Sequence, residues 1–109
     1  METLVFNKRF IEPILSGKVT VTRRAWKRQL VKEGSVQSFM WKYIKDGVFC
    51  KAQIVKVERG KLGEVNELDA RKEGFDSLQA FKDYFGKKWN PKLKVWVIRF
   101  EVIREITEF

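Results

Sequence analysis

Residues 48–58, VFCKAQIVKVE, read as one long β-strand whose apolar face changes side in the middle. Alternate residues of a strand share a face, so Cys50 and Ile54 lie on one side while Val55 and Val57 lie on the other. A change of side within one strand indicates a β-bulge or burial of both faces. We therefore predict a long strand that is either bulged here or covered on both sides.

Shorter strands surround this one. Lys45-Asp46-Gly47, directly before it, is typical of a hairpin turn. Apolar residues that cluster or alternate predict further strands at residues 4–6, 19–23, 35–41 and 95–103. Three strands therefore fall within the first forty or so residues, and a long one closes the chain.

Helical signals occupy the remaining segments. One helix is predicted over residues 10–16, with Gly17 after it. Asn66 is a capping residue for a second helix, which Gly74 ends, and Ser77 begins a third that runs through residue 85. This order lacks a βαβ repeat, so it predicts an α+β fold, with a small, mostly antiparallel β-barrel and flanking helices.

Length and composition predict a single globular domain over residues 1–109. Hydrophobic residues make up 44% of the chain and aromatic residues 14%, which is too apolar for disorder. Lysine and arginine outnumber acidic residues by 23 to 14, which gives a net charge of +9 at pH 7. Such a charge favours a polyanionic partner such as RNA, and simple solubility is the alternative explanation.

The residue types exclude several kinds of chemistry. The chain has no histidine and only Cys50, which excludes an internal disulfide, histidine-based triads and zinc sites built from those ligands. Cys50 lies among apolar residues, so we expect a buried, unreactive thiol, and we expect no metal and no cofactor. The sequence shows no signal peptide and no membrane-spanning run, which predicts a cytoplasmic protein. Abundant Lys and Glu resemble a thermophile-like composition.

Residues 17–34, GKVTVTRRAWKRQLVKEG, form a basic stretch with no acidic residue before Glu33. Its arginines and lysines can contact phosphates, and arginines and tryptophans can stack on unpaired bases. For Trp26 the alternative is a loop anchor, and Tyr43 is a further stacking candidate. The predicted RNA-binding residues are Lys18, Arg23, Arg24, Trp26, Lys27, Arg28, Lys32 and Trp41.

Five segments together resemble the ASCH domain, a member of the PUA-like superfamily. They follow one another in the order and spacing of that family, from about Phe6 to Val102. The segments are RFIEPILSGKVTVTRR (9–24), KEGSV (32–36), GVFCKAQIVKV (47–57), LDARKEGFDSLQAFKDYF (68–85) and VWVIRFEVI (95–103).

The resemblance implies a PUA-like β-barrel with a cleft suited to RNA or a nucleotide. Some similar proteins hydrolyse N4-acetylcytidine with a lysine, a threonine and a glutamate. Carried over by position, the threonine falls on Thr22 and the glutamate on Glu73, but the lysine falls on Val19. Lys18 is the nearby residue that could replace it, so the catalytic candidates are Thr22, Glu73 and Lys18.

Two classes of function follow from these observations. The first is a module that binds RNA or nucleotides through a basic cleft lined by residues 18–28. The second is an enzyme that acts on RNA or modified nucleosides, as an amidohydrolase or a ribonuclease. A basic module that binds an acidic protein has the same charge profile. A membrane-surface role is disfavoured, because the helix after Ser77 is not a basic amphipathic one.

Overall fold

The protein is described by a computed structural model that covers residues 4–42 and 45–104. Its strands are β1 (Leu4–Val5), β2 (Val21–Arg24), β3 (Val36–Met40), β4 (Val48–Lys61) and β5 (Lys94–Val102). Its helices are α1 (Ile11–Leu15), α2 (Glu67–Lys72) and α3 (Leu78–Phe85). Single 3-10 turns lie at Lys8–Phe10, Lys45–Gly47, Leu62–Glu64 and Gly86–Lys88.

The five strands form one mixed sheet in the order β1-β3-β4-β5-β2. β1 runs parallel to β3, and every other pair is antiparallel. The sheet curls into a half-barrel with the short helices beside it, so the predicted α+β, mostly antiparallel fold is confirmed.

The predicted irregularity in the long strand is a β-bulge at Val55. Ile54 pairs with Phe100 of β5 and Lys56 pairs with the adjacent Arg99, so Val55 is an extra residue between two ladder positions. Its side chain is exposed, whereas Ile54 is fully buried. A bulge bends the strand that carries it. β4 pairs with β3 along residues 48–53 and with β5 along residues 52–61.

Strand β2 differs from its prediction at residues 19–23. It begins only at Val21. The N–H of Thr20 donates to the carbonyl of Lys72, outside the sheet, while its carbonyl accepts from the N–H of Phe100 in β5. Lys18 and Thr20 are exposed, whereas Thr22 is buried.

The predicted caps are present on the two later helices. The side chain of Asn66 accepts from the N–H of Asp69 at the start of α2, and that of Ser77 accepts from the N–H of Ala80 at the start of α3. The first predicted helix starts as a 3-10 turn before α1 begins. Within the described residues, no helix is both long and apolar enough to cross a bilayer.

An aromatic core joins the sheet to the N-terminal segment. The ring centroids of Phe39 and Phe6 lie 4.8 Å apart, as do those of Phe39 and Phe100. A second group of rings, Phe10, Phe75 and Phe81, lines the same cavity as residues of β2, with Phe75 in edge contact with both of the others. The space between β2 and α3 is therefore walled by aromatic rings.

Gly74, which follows α2, has a left-handed backbone with φ of 101°. A Cβ there would meet ring carbons of Phe10 at 2.9 and 3.0 Å and a methyl of Val19 at 3.0 Å. We predict that Gly74→Ala lowers the free energy of unfolding by roughly 2–4 kcal/mol, from backbone strain together with overpacking. Urea unfolding measures the change.

Gly17 is the matched control, because it has a similar φ of 83° but nothing within 4 Å of the position that a Cβ would occupy. Gly17→Ala should therefore lower the free energy of unfolding by only about 1 kcal/mol, the contribution of backbone strain. Equal losses for the two variants would contradict the close contact of Gly74 with Phe10 and Val19.

Candidate functional site

A cavity of about 190 Å³ lies beside β2, between the N-terminal segment and α3. Much of its wall is aromatic, formed by Phe6, Phe10, Phe75, Phe81, Tyr84 and Phe85. Valine side chains complete the apolar part: Val5, Val19 and Val21. The polar part of the wall consists of Asn7, Thr22, Arg23, Arg24 and Glu73.

A buried ion pair forms the deepest polar part of this wall. Nη1 of Arg23 lies 2.5 Å from Oε1 of Glu73, and the backbone N–H of Arg23 donates to Oε2 at 3.2 Å. The Arg23 side chain is 5% exposed and also lies 3.8 Å from a carboxylate oxygen of Asp69. Its charge is therefore shared by two carboxylates within the protein.

The position of Glu73 changes how readily it takes up a proton. Burial raises the pKa of the Glu73 carboxyl above its ordinary value, and the charge and hydrogen bonds of Arg23 partly offset that rise. A carboxyl with a raised pKa is better suited to exchange a proton near neutral pH than an exposed one.

Thr22 and Arg24 form a second polar contact in the same wall. Nε of Arg24 donates to Oγ1 of the buried Thr22 at 3.3 Å. The guanidinium carbon of Arg24 also lies 4.8 Å from the ring centroid of Phe6, which orients the side chain along the aromatic wall. Thr22, Arg24 and Glu73 therefore face one cavity from neighbouring positions.

Comparison with known proteins now adds to this geometry. No protein-family model matches the chain. An N(4)-acetylcytidine amidohydrolase of Vibrio atlanticus is 29% identical over 102 residues, which cover 93% of this chain and 95% of the relative. One from Shewanella baltica is 28% identical over 103 residues, covering 94% and 96%.

Among solved structures, the ASCH domain from Lactobacillus crispatus matches this chain with a TM-score of 0.69 at 18% identity. The match covers 93% of this chain and 77% of that domain. This chain has the ASCH-domain fold. The fold inferred from the five sequence segments is therefore confirmed, and the cavity beside β2 lies within an ASCH half-barrel.

In this ASCH fold the three catalytic candidates do not come together. Thr22 and Glu73 both line the cavity, but Lys18 is exposed and is not among the residues of its wall. The neighbouring wall residue is Val19, which is 2% exposed. Lys18 precedes β2 and, like Thr20, is exposed, whereas Val19 and Val21 between and after them are buried.

The basic stretch is divided between the cavity and the surface. Arg23 and Arg24 both belong to β2, which ends one residue later than predicted. Lys27, Arg28 and Lys32 are exposed outside the strands and do not line the cavity. The wall of the cavity is thus more aromatic than basic.

Trp26 is held as a loop anchor. It is half-buried against the core, and its carbonyl accepts a hydrogen bond from Nε1 of Trp96 at 3.1 Å. Trp41 is half-buried, with the ammonium groups of Lys42 and Lys8 at 3.9 and 5.4 Å from its ring centroid. Tyr43 lies outside the described residues.

Sequence reasoning missed two features of the site. Phe81 and Phe85 were not among the predicted site residues, yet both line the cavity. Arg9 received no role, although its guanidinium carbon lies 4.7 Å from the ring centroid of the wall residue Phe10. A cation beside an aromatic residue at the start of a helix is too common a pattern to identify such a site.

Cys50 is half-buried against the core. Burial raises the pKa of its thiol to about 11, in line with the expected low reactivity. Among the described residues, no group of three or more His, Cys, Asp and Glu side chains is placed to hold a metal ion.

The ion pair predicts a pH-dependent loss of stability in Arg23→Gln. Glu73 would remain buried without its main counter-charge, so its pKa would rise further. A carboxyl with a raised folded-state pKa favours folding at low pH, and this contribution is lost as pH rises through that pKa. We expect a loss of about 3–5 kcal/mol near neutral pH that shrinks toward about pH 4.

Thermal or urea unfolding over this pH range measures the effect. Arg71→Gln is the matched control, because Arg71 forms an exposed ion pair with Glu67 on α2 and should contribute less than about 0.5 kcal/mol. The double variant Arg23→Gln with Glu73→Gln should recover part of the loss. A loss in Arg23→Gln that is small and independent of pH would contradict the buried pair.

Proposed function

We propose that this ASCH-fold protein binds a single nucleoside or unpaired nucleotide in the cavity beside β2. The observation that carries the proposal is the combination of an aromatic wall with the polar groups of Thr22, Arg24 and Glu73 in one small cavity. Its volume of about 190 Å³ lies below the roughly 300–1,000 Å³ of sites for drug-sized ligands, which suits one base better than several.

Each part of the wall suits a different part of a nucleoside. Phenylalanine and tyrosine rings offer stacking surfaces for a base, and a base has a π-face whatever its sequence. Thr22 can donate and accept hydrogen bonds, Arg24 can only donate, and Glu73 accepts when ionised. Such a mixture can match the Watson–Crick edge of an unpaired base.

The relatives support a cytidine-type ligand as the first to test. Two proteins that match nearly the whole chain are named as N(4)-acetylcytidine amidohydrolases. The threonine and the glutamate that the resemblance assigns to that activity correspond to Thr22 and Glu73, which both line the cavity. Recognition of a cytidine-like base requires only these groups and the rings.

Hydrolysis by the same route lacks the lysine that the resemblance assigns to it. The position of the lysine is occupied by Val19, a buried hydrocarbon side chain. The group that hydrogen-bonds to Thr22 is Arg24, whose guanidinium stays protonated and cannot take a proton from the hydroxyl. Glu73 is held by Arg23, and no hydrogen bond among the described residues joins its carboxylate to the hydroxyl of Thr22. The geometry therefore supports binding better than catalysis.

RNA binding by the exposed part of the basic stretch stays a prediction. Lys27, Arg28 and Lys32 are accessible to phosphates, and the net charge of +9 favours any polyanion. Because such attraction is not selective, the test of the proposal must use an uncharged nucleoside, which responds to the cavity and not to the surface charge.

Isothermal titration with cytidine, N4-acetylcytidine, uridine and adenosine tests the proposal. We expect at least one pyrimidine nucleoside to bind, and Thr22→Val to weaken it about 2–10-fold through loss of one hydrogen bond. Thr20→Val is the control, because Thr20 is exposed and should leave the affinity unchanged. Absence of nucleoside binding, or equal affinities in the two variants, would overturn the proposal.

A second candidate, an enzyme that acts on a modified nucleoside, is favoured by the shared location of Thr22 and Glu73 in one cavity. It predicts that the wild type releases acetate from N4-acetylcytidine, whereas a protein that only binds nucleosides would gain this activity in Val19→Lys and not in Val19→Met. A lysine at this buried position would have a lowered pKa and could act as a neutral base.

Val19→Met controls for the longer side chain, and circular dichroism establishes that both variants fold. Product formation is measured by chromatography of cytidine and acetate. Hydrolysis by the wild type that is abolished by Thr22→Val would show that another group replaces the lysine, and the protein would then be an enzyme.

A further inference from the structure

We propose that Arg9 binds a phosphate attached to the nucleoside, so that the ligand is a nucleotide and not a free nucleoside. This inference rests on the proposed function, because it requires a base in the cavity beside β2. Two sources share the chemistry: a nucleoside monophosphate and a nucleotide within single-stranded RNA.

Three aromatic side chains of the cavity wall hold Arg9 at the edge of the cavity. Its guanidinium carbon lies 4.7 Å from the ring centroid of Phe10, 5.1 Å from that of Phe75 and 5.7 Å from that of Tyr84. All three rings line the cavity. Nη2 of Arg9 also lies 3.5 Å from the carbonyl oxygen of Gly74, the residue after Glu73. These contacts fix the position of the guanidinium relative to a base inside.

The charge of Arg9 is available to a ligand, unlike that of Arg23. Arg23 is buried and paired with Glu73 and Asp69. Arg9 is exposed, and within residues 4–42 and 45–104 no carboxylate forms an ion pair with it. A phosphate there would form a charge-assisted contact with a guanidinium that is already oriented by the rings.

Lys8 extends the positive surface away from the cavity. Its ammonium group lies 5.4 Å from the ring centroid of Trp41, and that of Lys42 lies 3.9 Å from the same ring. Of these two consecutive residues, Lys8 therefore places its cation near Trp41 and Arg9 places its cation at the edge of the cavity. A single-stranded RNA with one base in the cavity would pass Arg9, and its next phosphates would lie near Lys8 and Lys42.

An uncharged nucleoside would use none of these cations. A nucleotide would also contact Arg9 through its phosphate, and a single-stranded RNA would contact Lys8 and Lys42 as well. Because the whole protein attracts anions, the test must separate Arg9 from general charge. Arg59 offers this control: it is also exposed, and its guanidinium carbon lies 4.3 Å from the ring centroid of Trp96.

The experiment measures affinities for cytidine, cytidine 5′- and 3′-monophosphate and a single-stranded pentacytidylate RNA. Wild type, Arg9→Gln, Arg9→Lys and Arg59→Gln are compared. We expect one monophosphate to bind the wild type about tenfold more tightly than cytidine, through one charge-assisted contact. This ratio should fall to about one in Arg9→Gln and be largely retained in Arg9→Lys and Arg59→Gln.

Salt dependence distinguishes the two sources of phosphate. Pentacytidylate that binds more tightly than either monophosphate identifies a strand as the ligand. The slope of log affinity against log salt should then fall by about 0.7 in Arg9→Gln, as expected for one lost phosphate contact with a single strand. Equal affinities for pentacytidylate and monophosphate identify a free nucleotide and still support the Arg9 contact.

Two results would overturn the inference in distinguishable ways. Tight cytidine binding with no gain from either phosphate would leave the proposed function intact and remove the role of Arg9. No cytidine binding, with RNA affinity lowered equally by Arg9→Gln and Arg59→Gln, would show general charge attraction and remove both.

Discussion

The candidate site depends on the buried ion pair between Arg23 and Glu73. It joins the edge strand β2 to the residue that ends α2, and both residues of the pair line the cavity. A buried charge left without its partner is strongly destabilising, so neither residue can change alone. The pair thereby fixes the separation of β2 and α2 and keeps Thr22 and Arg24 facing the aromatic rings.

The same pair determines where charge is available for binding. Because Glu73 and Asp69 take up the charge of Arg23, the interior of the cavity has a nearly balanced polar wall. That environment suits an uncharged base, while any phosphate must be recognised at the rim. The arrangement of Arg9 over Phe10, Phe75 and Tyr84 is consistent with this division, since the rings orient a cation that remains exposed.

Much of the fold followed from local patterns. The change of side between Ile54 and Val55 predicted a bulge or burial of both faces, and the bulge is present. Asn66 and Ser77 predicted the starts of two helices. These signals depend on neighbouring residues alone. The site was predicted less well. Thr22 and Glu73 were identified through a resemblance, whereas their common cavity depends on contacts between residues about fifty positions apart.

The sequence by itself determined the α+β order of elements, the positive charge and the absence of histidine chemistry, since these need no knowledge of distant contacts. Only the tertiary structure decided which cations face the cavity. Arg23 is paired with Glu73 from another element, Lys18 is exposed outside the cavity, and the guanidinium of Arg9 lies against rings from α3 and the segment before it. Which charged residues are able to bind a ligand therefore depends on which of them the fold pairs and which it leaves exposed.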